Sequence, residues 1–320
     1  MPTATAILDG QDLSGQYMLI TGANQGIGFE TARALALRGA HVTLACRSQD
    51  SAEQAMDAIR QEKKDAQLSY INLNLCSLNS VEQCAKEYLD LKMPLNVLIL
   101  NAGTMLPTEG QTKDGFETTF QVNHLAQFHL TNLLTELMAS SAPARVVVVS
   151  SSTHRFARLP SDSTKWWNAF SPAKRSDQGT WKAYGYSKMA NVMFASELNR
   201  RMQIYGLQAI SCHPGTIKTA IARNIPQHIR RLLCCFQIAL ISPEEGAATS
   251  VYCATTDITC HGGKYFAKCR VSKMASVCAK EDNARKFWSL SEEMLKAKPD
   301  CSQSPTTISL RNTSGGNDDH

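Results

Sequence analysis

Eight residues, Thr21-Gly22-Ala23-Asn24-Gln25-Gly26-Ile27-Gly28, restrict this chain's fold more than any other stretch. They lie between a short apolar run, Tyr17–Thr21, and a segment with helical spacing, Gly26–Leu37, where Ile27, Ala34 and Leu35 mark one apolar face. A strand that turns on glycines straight into a helix opens a βαβ unit. Glycines let the backbone bend sharply and let a pyrophosphate approach the helix N-terminus, where unpaired N–H groups and the helix dipole favour anions. The spacing is Gly-x-x-x-Gly-x-Gly, not the commoner Gly-x-Gly-x-x-Gly.

The alternation continues. Strands are predicted at His41–Cys46 and residues 68–73, 95–100, 145–150, 207–212 and 263–266. Helices are predicted at 52–64, 81–91, 116–139, 184–205, 243–254 and 283–297. Four successive valines at 146–149 read as a strand covered on both faces. This order predicts an α/β, Rossmann-type doubly wound parallel sheet of about seven strands in a single domain. The expected division is an N-terminal extension over 1–13, a nucleotide-binding domain over 14–300 and a disordered Ser/Thr/Asn/Gly-rich tail over 301–320. Two long segments, 153–180 and 216–242, interrupt the rhythm and read as functional loops.

At 320 residues and 43% hydrophobic, the chain can build a full core. A net charge of +5 without a basic, aromatic-interleaved run argues against nucleic acid. Eleven scattered cysteines without a Cys-x-x-Cys pair argue against zinc and against a disulfide framework. Buried thiols suit a reducing compartment, so a cytoplasmic location is expected. The first fifteen residues lack the charged start and apolar run of a leader. The apolar stretch 232–241 is about half the length of a membrane span. Residues 230–236 read as an amphipathic lid over the substrate, with weak peripheral membrane contact as the other reading.

At the tip of the second strand, Cys46-Arg47-Ser48 stands where an acidic residue would bond the ribose of NAD. Arg47 can pair a 2′-phosphate and Ser48 can add a hydrogen bond, so NADP(H) is expected over NAD(H). Further along, Tyr184 and Lys188 are spaced to share one helix face. Bringing a phenol from its ordinary value of about 10 to near 7 takes about 4 kcal/mol of preferential phenolate stabilisation, and a neighbouring cation can supply it.

Six stretches in order carry a resemblance: TGANQGIG (21–28), NAG (101–103), VNHL (122–125), VVVVSSS (146–152), YGYSK (184–188) and HPGTIKT (213–219). Over about residues 14–297 the chain resembles the short-chain dehydrogenases/reductases. The text around the motifs is similar to their retinol-dehydrogenase-like branch, which includes the oxidoreductase domains of WW-domain-containing oxidoreductases. No WW module is expected here, because the first strand begins within twenty residues of Met1.

The resemblance implies an NAD(P)-dependent oxidoreductase acting on a CH–OH group or a carbonyl, with a hydrophobic, retinoid-, steroid- or lipid-aldehyde-like substrate. It implies that Tyr184 is the general acid or base, that Lys188 lowers its pKa and binds the nicotinamide ribose, and that Ser151 orients the substrate oxygen. Ser151 is chosen over Ser150 and Ser152. Asn123 would hold a water linking Lys188 to solvent. Thr21, Gly22, Asn24, Gln25, Gly26, Ile27 and Gly28 would cradle the cofactor, with Arg47 and Ser48 at its 2′ position. Asn74 and Leu75 would lie beside the adenine, Asn101, Ala102 and Gly103 along the strand-four edge, and Pro214, Gly215 and Thr219 by the nicotinamide. Asn74 departs from the family's usual Asp. Family members often form dimers, so a homodimer is a possible assembly. A second reading is an NADP-binding interaction module with little turnover. No metal site is expected, and His124, His129, His154 and His213 read as structural or solvated.

Overall fold

The computed structural model describes residues 2–105, 107, 109–171, 179–215, 241–257 and 260–297. Among the described residues, eight strands form one sheet: β1 (Tyr17–Thr21), β2 (His41–Cys46), β3 (Leu68–Asn72), β4 (Val97–Leu100), β5 (Ala144–Val149), β6 (Leu207–His213), β7 (Tyr265–Ala267) and β8 (Arg270–Ser272), in the order β3-β2-β1-β4-β5-β6-β7-β8. All neighbours are parallel except the β7–β8 hairpin. That hairpin adds the strand beyond the expected seven. Its turn holds Lys268 and Cys269 at φ 54° and 56°, left-handed positions usually given to Asn or Gly, so no turn signal shows in the sequence.

The described helices are α1 (Ala4–Ile7), α2 (Gly26–Leu37), α3 (Gln49–Glu62), α4 (Leu78–Asp90), α5 (Thr118–Phe120), α6 (Ala126–Ser140), α7 (Trp166–Phe170), α8 (Gly179–Met202), α9 (Pro243–Thr255) and α10 (Glu281–Lys296). They cover both sheet faces, which is why Val146–Val149 of β5 are apolar in succession. Val146 and Val148 pack into the core under α4, α6, α8 and α10, whereas Val147 and Val149 pack under α2, α3 and α9.

Three local departures matter for the site. The long helix expected over 116–139 is interrupted by a π-helical turn, Gln121–Leu125, joining α5 to α6. The N-terminal extension folds onto the domain, with Ala4 and Leu8 buried and Thr5 Oγ1 donating to Glu244 Oε1 at 2.9 Å. In the 153–180 segment, Trp166 is buried and donates its indole N–H to Pro160 O at 2.9 Å, so it packs the insertion. The expected lid at 230–236, Thr219 and the 301–320 tail lie outside the described residues.

Candidate active site

The carboxyl ends of β1, β2 and β4 open into a cleft of about 800 Å³. Gly22, Asn24, Gln25, Gly26, Ile27 and Gly28 line it with Arg47, Ser48, Asn74, Leu75, Asn101, Ala102 and Gly103. Thr21 lies beneath this wall, fully buried, its hydroxyl accepting from the backbone N–H of Asn101 and Ala102 at 3.0 Å each.

The glycines are required by space as well as by angle. Gly22 and Gly26 have φ of 66° and 60°. A Cβ on Gly28 would overlap the Gly22 carbonyl and the Asn101 side-chain amide. Asn101 Nδ2 donates to Thr21 O at 2.9 Å and Gly22 O at 3.2 Å, so its side chain braces the turn from behind. Cys46 is buried at the end of β2, and burial pushes its thiol up to about 11, with the backbone N–H groups of Ala23 and Asn24 opposing the rise. A smooth backbone wall at a helix N-terminus, with a guanidinium at its far side, fits a dinucleotide with phosphate groups.

At the expected adenine end, Asn74 Oδ1 already accepts from Cys76 N at 3.1 Å, closing an Asx turn. Ser48 caps α3, its hydroxyl accepting from Ser51 N at 3.3 Å. Both side chains therefore have structural duties beside any contact with a ligand.

The four expected catalytic side chains converge behind Gly103. Tyr184 and Lys188 lie on α8, Ser151 follows β5, and Asn123 sits in the π turn; all four are buried. Lys188 Nζ donates to Val149 O at 3.0 Å and lies 5.7 Å from the Tyr184 ring centroid. A Cβ built on Gly103 would come to 3.4 Å from both Lys188 Nζ and Asn123 Oδ1, so this cleft residue adjoins both polar groups. Asn123 is held from three sides. Its Oδ1 accepts from Thr104 N at 2.7 Å, and its Nδ2 donates to Thr104 O at 3.0 Å and to Ser187 Oγ at 2.9 Å.

The serine run separates by contacts. Ser150 Oγ donates to Lys188 O at 2.7 Å inside the core. Ser151 faces the Tyr184 phenol and acts to lower its pKa. Burial outweighs this and pushes the phenol up to about 12. This is the reverse of the lowering expected from Lys188. The ammonium is itself desolvated, and burial pulls it down to about 8. Desolvation is the leading cause of the shift at both groups.

Two further groups support the site: His154, read from the sequence as structural or solvated, and Gln127, which carries no local signal in the sequence. His154 Nδ1 lies 2.6 Å from Ser151 O, and its Nε2 accepts from Ala275 N at 3.1 Å. The Ala275 bond fixes the proton on Nδ1, so this ring ties the Ser151 backbone to the segment before α10. Gln127, one turn after Asn123, reaches the ends of both β1 and β4. Pro214 and Gly215 leave β6 beside this region, with Gly215 at φ 103°. Among the described residues no cluster of His, Cys, Asp and Glu could hold a metal, and no helix is long and apolar enough to cross a membrane.

The short chain dehydrogenase family model matches residues 16–161. A WW domain-containing oxidoreductase from Gallus gallus is 42% identical over 300 residues, 92% of this chain and 71% of the relative. Retinol dehydrogenase 12 from Homo sapiens is 38% identical over 289 residues, 88% of this chain and 87% of the relative. The crystal structure of an uncharacterized protein from Mycobacterium Paratuberculosis superposes with a TM-score of 0.71 at 30% identity, covering 91% of this chain and 97% of that one.

Proposed function

The chain belongs to the short-chain dehydrogenase family of NAD(P)-dependent oxidoreductases acting on CH–OH groups, and from that premise we propose that it interconverts a hydrophobic carbonyl and its alcohol with NADP(H). The observation that carries this reading is the convergence of Ser151, Tyr184, Lys188 and Asn123 immediately behind Gly103, which itself lines the glycine-walled cleft.

When bound, the nicotinamide cofactor supplies or accepts the hydride. The backbone of residues 22–28 holds the pyrophosphate, and Arg47 pairs the 2′-phosphate that distinguishes NADP from NAD. Lys188 holds the nicotinamide ribose. Tyr184 and Ser151 bind the reacting oxygen, and in reduction the Tyr184 hydroxyl passes its proton to that oxygen. A phenol held neutral by burial is in the correct form to donate. Alcohol oxidation needs the phenolate form of Tyr184, which a neighbouring positive charge would favour. Asn123 orders the path by which Lys188 restores the proton. The substrate class is a retinoid-, steroid- or lipid-aldehyde-like molecule, in line with the retinol dehydrogenase relative. A reducing cytoplasm suits the free, buried thiols of Cys46, Cys84, Cys212, Cys253 and Cys278.

The test is hydride transfer from NADPH to a panel of hydrophobic aldehydes and ketones, followed at the nicotinamide absorbance. The Tyr184→Phe variant is expected to lose turnover by about 10²–10⁴-fold while keeping its NADPH affinity. Wild-type protein inert across the panel, or a Phe variant as active as wild type, refutes the assignment.

A further inference from the structure

Gln127 is a buried amide, 2% exposed, whose hydrogen bonds reach three separate elements. Its Oε1 accepts from Thr21 Oγ1 at the end of β1, at 2.9 Å. Its Nε2 donates to Ala102 O beyond β4 at 3.0 Å, and to Val122 O and Asn123 O in the π turn at 3.2 and 3.0 Å. Two N–H groups thus serve three carbonyls, so at least one bond is shared. The network closes on itself: Ala102 donates its N–H to Thr21 Oγ1, which donates to Gln127, which donates back to Ala102 O.

The π turn explains why a side chain is needed. Its backbone bonds step one residue further back, as in Ala126 N–H to Gln121 O, which changes the register around Val122 and Asn123. The Gln127 amide gives both of their carbonyls a donor. It thereby fixes Asn123 against Ala102 and, through Ala102, against the Gly103 backbone that faces Lys188 Nζ. A hydrocarbon side chain of similar size at 127 would strip these buried groups of their shared partner, a loss that buried polar atoms tolerate poorly.

We infer that Gln127 is a positioning residue, which locks the glycine-rich turn, the β4 edge and the Asn123 backbone into one unit and so sets the cofactor cleft against the proton-handling pair Asn123 and Lys188. This inference rests on the NADP(H) oxidoreductase reading. It separates from a purely structural role because a carboxylate at 127 accepts but cannot donate, whereas the protonated acid regains one donor.

The experiment compares wild type, Gln127→Leu and Gln127→Glu for kcat, KM, NADPH affinity by fluorescence titration, and melting temperature, between pH 5.5 and 8. The Leu variant is expected to lose about tenfold or more in kcat/KM, with weakened NADPH affinity, since small misplacements at such sites cost rate steeply. The Glu variant is expected to lose activity and NADPH affinity progressively as pH rises through the titration of its carboxyl group, relative to wild type. A Leu variant altered only in melting temperature, with wild-type kinetics and NADPH affinity, overturns the inference. If the Leu variant fails to fold, the Glu variant decides, and a pH profile parallel to that of wild type overturns it. Should wild type turn over no carbonyl at all, the proposed function fails first. The inference is then read from NADPH affinity alone, and unchanged affinity in both variants sinks it.

Discussion

Lys188 sets its ammonium 3.0 Å from the carbonyl oxygen of Val149, an oxygen that also accepts from Asn191 Nδ2 at 3.1 Å. Removal of the ammonium therefore leaves Val149 O with a donor, and the main energetic change is relief of a desolvated charge. Burial brings Lys188 from its usual 10.5 to about 8, a cost of roughly 3 kcal/mol while the group is charged in both folded and unfolded chains. That cost is fully present below pH 8. It fades between pH 8 and 10.5, where the unfolded chain binds the extra proton and stability rises with pH. Lys188→Met is therefore expected to be more stable than wild type at pH 7 by about 1–3 kcal/mol, the lost hydrogen bond offsetting part of the gain, and to be inactive. Urea unfolding at pH 7 and pH 10 checks this, and the difference between the two proteins should shrink at the higher pH.

His124 gives the opposite end of the pH scale its slope. Its ring lies among Phe120, Phe128, Phe194 and Phe287, with Nδ1 3.3 Å from Asn191 Oδ1 and Nε2 3.2 Å from Ser291 Oγ. Burial takes it from 6.5 down to about 3, so only the neutral ring suits the fold. Between pH 6.5 and 3 the unfolded chain binds the extra proton, and stability is lost as pH falls. His124→Leu is expected to flatten this loss by about 1.4 kcal/mol per pH unit across the window. The lowered His154 and His213 keep a residual slope. Unfolding free energies measured from pH 7 to pH 4 report the difference.

Two of the three glycines in the cleft turn, Gly26 and Gly28, should fail in different ways. Gly26 has no atom within 4 Å of a would-be Cβ, so Gly26→Ala meets only the left-handed backbone strain, about 1–2 kcal/mol. Gly28→Ala drives a methyl into the Gly22 carbonyl and the Asn101 brace. It is expected to cost more than 2 kcal/mol and to weaken NADPH binding more than the Gly26 change. Chemical denaturation with cofactor titration on both variants separates strain from collision.

Much of this arrangement is legible in the sequence because its signals are local. Tyr17–Thr21, the glycine turn and α2 each announce themselves through apolar spacing and through glycines where φ is positive. The starts of α3 and α4 fall three residues earlier than apolar periodicity indicates, since Ser48 and Ser77 cap them and the polar stretches Gln49-Asp50-Ser51 and Asn79-Ser80 hide the beginning. Long-range duties leave no local mark. Gln127 is one polar residue among helix neighbours, and only the fold brings Thr21 and Ala102 to it across 106 and 25 positions. Burial is the other hidden quantity. Tyr184 and Lys188 share a helix face as their spacing requires, yet their desolvation decides the direction in which each titrates.

Arg47 lines the cleft at the tip of β2 with no acidic residue beside it in Cys46-Arg47-Ser48. Arg47→Asp replaces a phosphate partner with a carboxylate that repels the 2′-phosphate and can accept from a ribose hydroxyl. The ratio of kcat/KM for NADPH over NADH is expected to fall by at least about tenfold, through the KM for NADPH. An unchanged ratio in steady-state kinetics removes Arg47 from the cofactor assignment.

Ser150 and Ser151 are adjacent and both buried, so single substitutions separate their duties. Ser150 Oγ donates to Lys188 O, a bond within the core, and Ser150→Ala is expected to cost about 1–2 kcal/mol of stability. Its turnover should fall less than that of Ser151→Ala, because the Lys188 side chain keeps its Val149 contact. Ser151 Oγ instead faces the Tyr184 phenol and accepts only a weak backbone bond from Thr153 N at 3.3 Å. Ser151→Ala is expected to leave stability within about 1 kcal/mol of wild type while lowering kcat by about 10²–10³-fold, the scale of losing one hydrogen bond to a developing oxyanion. Parallel measurement of kcat and urea midpoint on the two variants decides the matter. A larger kcat loss at Ser150 than at Ser151 would move the substrate-orienting role one residue upstream.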